Sequence, residues 1–179
     1  MYFCMMTVEE IGKNFNTTID VWKKTTGDYT EHLFALKPAE DAWSIGQVCQ
    51  HLITSTKRIF IVIDKCLAGN VNEHEQKTEA GDKAFTTNIL SEVKVKLPIA
   101  VQATPPQPES AAFARNEFEE IHKTFLLVSE KVNNSNSSGK EKHPVLGFLS
   151  AKEWLQSIEM HFRHHLKQKE SIDAFLKDA

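Results

Sequence analysis

The chain has 179 residues, 41% hydrophobic and 25% charged, which suits a single globular domain spanning 1–179 and is short for two. A net charge of −3, with lysines and arginines scattered among glutamates, gives no support to nucleic-acid binding, which usually needs a concentrated basic face. The longest aliphatic run, IFIVI at 59–63, is far below the ~18 residues of a membrane span, so no membrane association is expected.

The opening stretch MYFCMMTVEE is apolar for a few residues but has no basic segment before it and soon turns acidic, so a signal peptide is not expected. Cysteine usage agrees. Three cysteines (Cys4, Cys49 and Cys66) make an odd number without a CxxC, which reads as reduced thiols in a cytoplasmic protein.

The first helix is expected from about Thr7 to Thr26, opened by a Thr7/Glu10 capping box and closed at Gly27. The second runs from Ser44, boxed by Gln47, to about Ala68. The stretch 71–103 alternates apolar and polar residues in VKVK at 93–96, yet a lone strand would have no partner. It reads instead as an irregular crossover with a short helix. Three of the six prolines fall in TPPQP at 104–108, and a third helix follows from about Glu109 to Val132. NNSNSSGKEK at 133–142 reads as an exposed loop. The last helix starts at Ser150, boxed by Glu153, and reaches about Lys177. Four long helices with one long central connection point to an all-α four-helix bundle.

On the last helix, Trp154, Leu155, Ile158, Phe162, Leu166, Ile172, Phe175 and Leu176 form one apolar arc that also contains His161 and His165. Residues four apart lie about 40° apart on a helix, so these two imidazoles share a face. His164 points away from them. Lys152, Gln156, Glu159, Arg163, Lys167 and Glu170 fall opposite, as a solvated salt-bridged face. Buried imidazoles need partners, and a lone HxxxH pair reads first as side chains that snorkel or bond to backbone. A third imidazole changes that reading. His51, at the border of the apolar arc made by Val48, Ile59, Val62 and Cys66 on the second helix, can join the pair and complete a metal site with open positions. His32, His74, His122 and His143 have no such setting, and Trp43 and Trp154 read first as core aromatics, with the lining of a ligand pocket as the lesser alternative.

WSIGQVCQHL at 43–52, together with HPVLGFLSAKEWLQSIEMHFRHHLKQ at 143–168, resembles the DinB-like (YfiT-type) superfamily of metal-binding four-helix bundles. The resemblance implies an up-down-down-up bundle with a long connection between helices two and three. It implies a divalent metal, zinc or nickel, held by His51, His161 and His165. Gln168 and His143 match the pattern outside the ligand positions and are assigned outer-shell or loop-fixing roles. Relatives include low-molecular-weight-thiol S-transferases and hydrolases, so a small electrophilic substrate and a thiol cosubstrate are implied, as is a homodimer. Two function classes follow: a metal-dependent enzyme, or a non-catalytic stress-related bundle that binds a ligand or partner and uses the metal structurally or not at all.

Overall fold

A computed structural model describes residues 6–90 and 104–177 and is mostly helical. Helix starts follow side-chain caps. Helix α1 (Val8–Asp28) opens where the Glu10 amide donates to Thr7 Oγ1 at 3.2 Å and the Thr7 amide donates to Glu10 Oε2 at 2.8 Å. Such reciprocal bonds satisfy backbone donors that the first turn of a helix leaves without partners. A short α2 (Glu31–Ala35), capped by Thr30, was not expected from the sequence. Helix α3 (Ile45–Leu67) opens on the Ser44/Gln47 box, both bonds at 3.1 Å. The crossover carries the expected short helix, α4 (Glu79–Thr87), which ends on Asn88 in the left-handed region at φ 53°. The VKVK stretch lies outside the described residues. Helix α5 (Ala111–Asn133) is capped by Ser110, two residues beyond the Glu109 start.

The 133–142 region departs from an exposed loop. Strand β1 (Lys140–His143) pairs antiparallel with β2 (Gly147–Ser150), and the hairpin feeds directly into the Ser150/Glu153 capping box. Ahead of it, Ser137 Oγ donates to the carbonyls of Cys66 and Gly69 at 2.6 and 2.7 Å, fastening the loop to the end of α3. Gly147 sits at φ +81°, and a side chain there would collide with the backbone of Lys77 and Thr78, so the tight approach of the crossover requires glycine.

The last long helix is two helices. Helix α6 (Ala151–His164) ends at a break on His165, and α7 (Leu166–Lys177) continues. No proline or glycine explains the break. The indole of Trp22, fully buried on α1, donates to the carbonyl of Phe162 at 3.1 Å. In an unbroken helix that carbonyl would accept from the amide of Leu166. A side chain inserted into the backbone ladder is a known cause of a helix kink.

Helix α1 packs on α5 and α6, and α3 packs on the same two helices, which encloses the core. Phe15 stacks on Phe125 at 3.9 Å between centroids, and Phe162 meets Phe15 and Phe118 edge-on at 5.2 and 5.8 Å. Cys49 and Cys66 are buried free thiols. No described helix is long and apolar enough to cross a membrane.

The face of α6 opposite the histidines is not a solvated charged face. Glu159 is only 1% exposed and Gln156 only 4%. The crossover reaches Gln156 and Arg163, and Glu159 lies between Arg163 and Thr18 of α1. Arg163 binds Glu159 through Nε at 2.8 Å and Nη2 at 3.0 Å, and the same Nη2 donates to the Asn88 carbonyl at 2.7 Å. Gln156 Nε2 donates to Asn88 Oδ1 at 3.0 Å, and Lys77 Nζ pairs with buried Glu153 at 2.7 Å. Helical periodicity identifies a polar face; only tertiary structure decides whether chain lies over it.

Candidate metal centre

Each histidine of the trio is delivered by a different piece of backbone. His51 lies two turns into α3, behind the Ser44 cap. His161 lies in the last turn of α6, and His165 is the residue at the break before α7. His161 Nε2 sits at the centre, 3.0 Å from His51 Nε2 and 3.1 Å from His165 Nε2. The three rings meet edge to face, with centroids 4.8 to 5.0 Å apart. One ligand atom from each lies within 4.8 Å of the others, and all three residues are half-buried, so the cluster is held by protein yet reaches solvent.

The electrostatics favour neutral rings. Burial pushes His51 down to about 4. Burial does the same to His165, helped by neighbouring His51 and opposed by the hydrogen bond with Gln168, again to about 4. His161 is held well below the ordinary histidine value by burial, with His165 and His51 reinforcing the effect. Near neutral pH the cluster therefore holds uncharged imidazoles, the ligating form.

This donor set fits a divalent ion. In a neutral imidazole Nε2 offers either one N–H or one lone pair, so His161 Nε2 cannot make a full hydrogen bond to both neighbours. A tetrahedral ion with metal–nitrogen bonds of about 2.0–2.1 Å would set its donors roughly 3.3 Å apart, close to the two short separations. Three imidazoles suit borderline metals such as zinc or nickel.

The other sequence-predicted residues divide. Gln168 reaches the cluster, its Oε1 2.8 Å from His165 Nδ1. His143 stands outside it: Nδ1 accepts the amides of Val145 and Leu146 at 3.1 and 3.0 Å, which ties the hairpin turn, and burial pushes its pKa down to about 4. His164, with its ring 5.4 Å from that of His165, is not a member of the trio. Trp43 is partly buried, packs against the core and lies 5.3 Å from the His51 ring, so it also flanks the centre. Trp154 is buried against His143, 5.2 Å away, and donates to the Glu141 carbonyl at 3.3 Å.

Comparison with curated proteins finds no match. The sequence matches the DinB superfamily over residues 14–168, a span that contains the whole trio and Gln168. The chain belongs to the DinB superfamily.

Proposed function

We propose that the chain is a metal-dependent enzyme that holds a divalent ion, zinc or nickel, on His51, His161 and His165 and acts on a small electrophile. The reaction is a low-molecular-weight-thiol S-transfer or a hydrolysis. The observation that carries this reading is the convergence of three neutral Nε2 atoms, two pairs at 3.0 and 3.1 Å, in a cluster that still reaches solvent. Closed structural sites use four protein ligands, whereas three ligands and an accessible face belong to catalytic ones. An ion held there would supply Lewis acidity, lowering the pKa of a thiol or water so that the nucleophile forms at neutral pH.

The chain's own groups bind and orient. His51 comes from α3, His161 from the last turn of α6 and His165 from the α6–α7 break, so an ion held by all three would tie those elements together. Trp43 supplies an aromatic wall beside His51. The fold that carries the site is read as an up-down-down-up four-helix bundle with its long connection between the second and third long helices. The buried free thiols of Cys49 and Cys66 support a reducing, cytoplasmic setting. A homodimer is retained in this reading; Ile61 on α3 and Leu127 on α5 are among the exposed apolar residues that could serve it. Sedimentation as a monomer removes it.

The test is turnover of the metal-loaded protein with a panel of low-molecular-weight thiols and model electrophiles, beside ester and amide substrates. Metal-dependent product formation supports the enzyme. A second reading, a bundle stabilised by a structural metal, draws on a cluster that is all imidazole among the described residues, with no carboxylate or thiol in it. A large fall in melting temperature on chelation with no turnover favours that one.

A further inference from the structure

We propose that Gln168 is a positioning residue that holds His165 in the Nδ1–H tautomer and thereby leaves Nε2 as a lone pair aimed into the trio. The inference rests on the metal-site reading above and adds a residue to it. An amide oxygen only accepts, so the 2.8 Å contact between Gln168 Oε1 and His165 Nδ1 requires the proton on Nδ1. A neutral imidazole has one proton, so Nε2 is then bare. That nitrogen is the one 3.1 Å from His161. An outer partner that fixes tautomer and ring orientation is how metal-binding histidines are commonly prepared.

The placement of Gln168 is itself secured. His165 is the residue at the helix break, yet its amide donates to the His161 carbonyl at 3.2 Å and its carbonyl accepts from the Lys169 amide at 3.0 Å, and Gln168 reaches back to it from the first turn of α7. Helix α7 is fastened by Asp173, which receives Lys169 Nζ at 2.5 Å and the hydroxyl of Tyr29 from the far end of α1. Among the described residues, Nδ1 of His51 and of His161 has no such partner. His165 is therefore the member whose protonation pattern the protein sets, and the other two adjust to it.

Two variants separate this role from packing. Gln168→Met keeps the length and removes the acceptor; Gln168→Glu keeps the acceptor. In metal-free protein at neutral pH, ¹⁵N-detected imidazole spectra are expected to show His165 as Nδ1–H in wild type and in Gln168→Glu, and as Nε2–H or a mixture in Gln168→Met. In zinc titrations against a competing chelator, Gln168→Met is expected to bind ~10–100-fold more weakly, with Gln168→Glu at or above wild type. Nε2–H in the wild type overturns the inference, as does wild-type zinc affinity in Gln168→Met or an equal loss in both variants. If wild type takes up no zinc, the metal reading fails, and the tautomer of the metal-free protein alone decides the role of Gln168.

Discussion

Helix α6 buries polar groups on two opposite faces, and the two are solved differently. On the face under the crossover every buried group has a partner: Glu159 has Arg163, Glu153 has Lys77, and Gln156 has the Asn88 side chain. On the face toward α3, His51, His161 and His165 turn identical nitrogens toward one another. The first arrangement is complete within the chain and reads as architecture. The second brings together three neutral nitrogens that could hold a cation, which is why it, and not the richer charge network behind it, is the candidate centre.

The comparison breaks most sharply at His161. Because its Nε2 is the short contact of both other histidines, His161→Ala is expected to lower metal affinity by more than the ~10–100-fold of an outer-shell change, while the metal-free protein keeps its circular dichroism. Chelator competition measures it. On the opposite face the effect should be inverted. Arg163→Met leaves Glu159 buried without its cation and should cost about 3 kcal/mol, the low end for a broken buried pair because Arg163 itself reaches solvent. Denaturant titration reads the loss, and metal affinity of the folded fraction should stay within a few-fold of wild type. An Arg163→Met protein that lost metal without losing stability would erase the distinction between the faces.

A smaller effect is expected at Trp22→Phe, which keeps an aromatic ring but removes the indole donor to Phe162. The lost hydrogen bond should cost about 1 kcal/mol, with a further cost for the smaller ring, and thermal melts would record it. The pH dependence separates the faces once more. Because His51 and His165 have folded values depressed to about 4, below the ordinary 6.5, they stay neutral in the folded chain after the unfolded chain begins to protonate. Their contribution to stability is therefore complete above about pH 6.5 and is lost as pH falls toward 4. His143, depressed to the same value, adds to that loss. Metal retention should be level from neutral pH to about pH 6 and fall toward pH 4, as equilibrium dialysis across that range would show.

How legible these features were depends on how local their causes are. The starts of α1, α3 and α6 were readable because Thr7, Ser44 and Ser150 each find a partner three residues on. The trio was readable from helical spacing joined to the family resemblance, since both say which residues share a face. The break at His165 was not, because its cause is Trp22, 140 positions away in sequence. The burial of Glu159 was hidden for the same reason: an alternating charge pattern looks alike in water and against Thr18 of α1, 141 positions away. The β1–β2 hairpin was missed because KEKH is polar and short, and its order comes from pairing with GFLS and from contacts with the crossover.

The central claim, that the trio is a cation site, is tested most directly by the metal content of the purified protein after incubation with zinc or nickel and exhaustive dialysis, wild type beside His161→Ala. The account predicts stoichiometric metal in wild type and none in the variant, with matching melting curves for the two metal-free proteins. A wild type that emerges without metal, or a variant that retains it, would contradict the account.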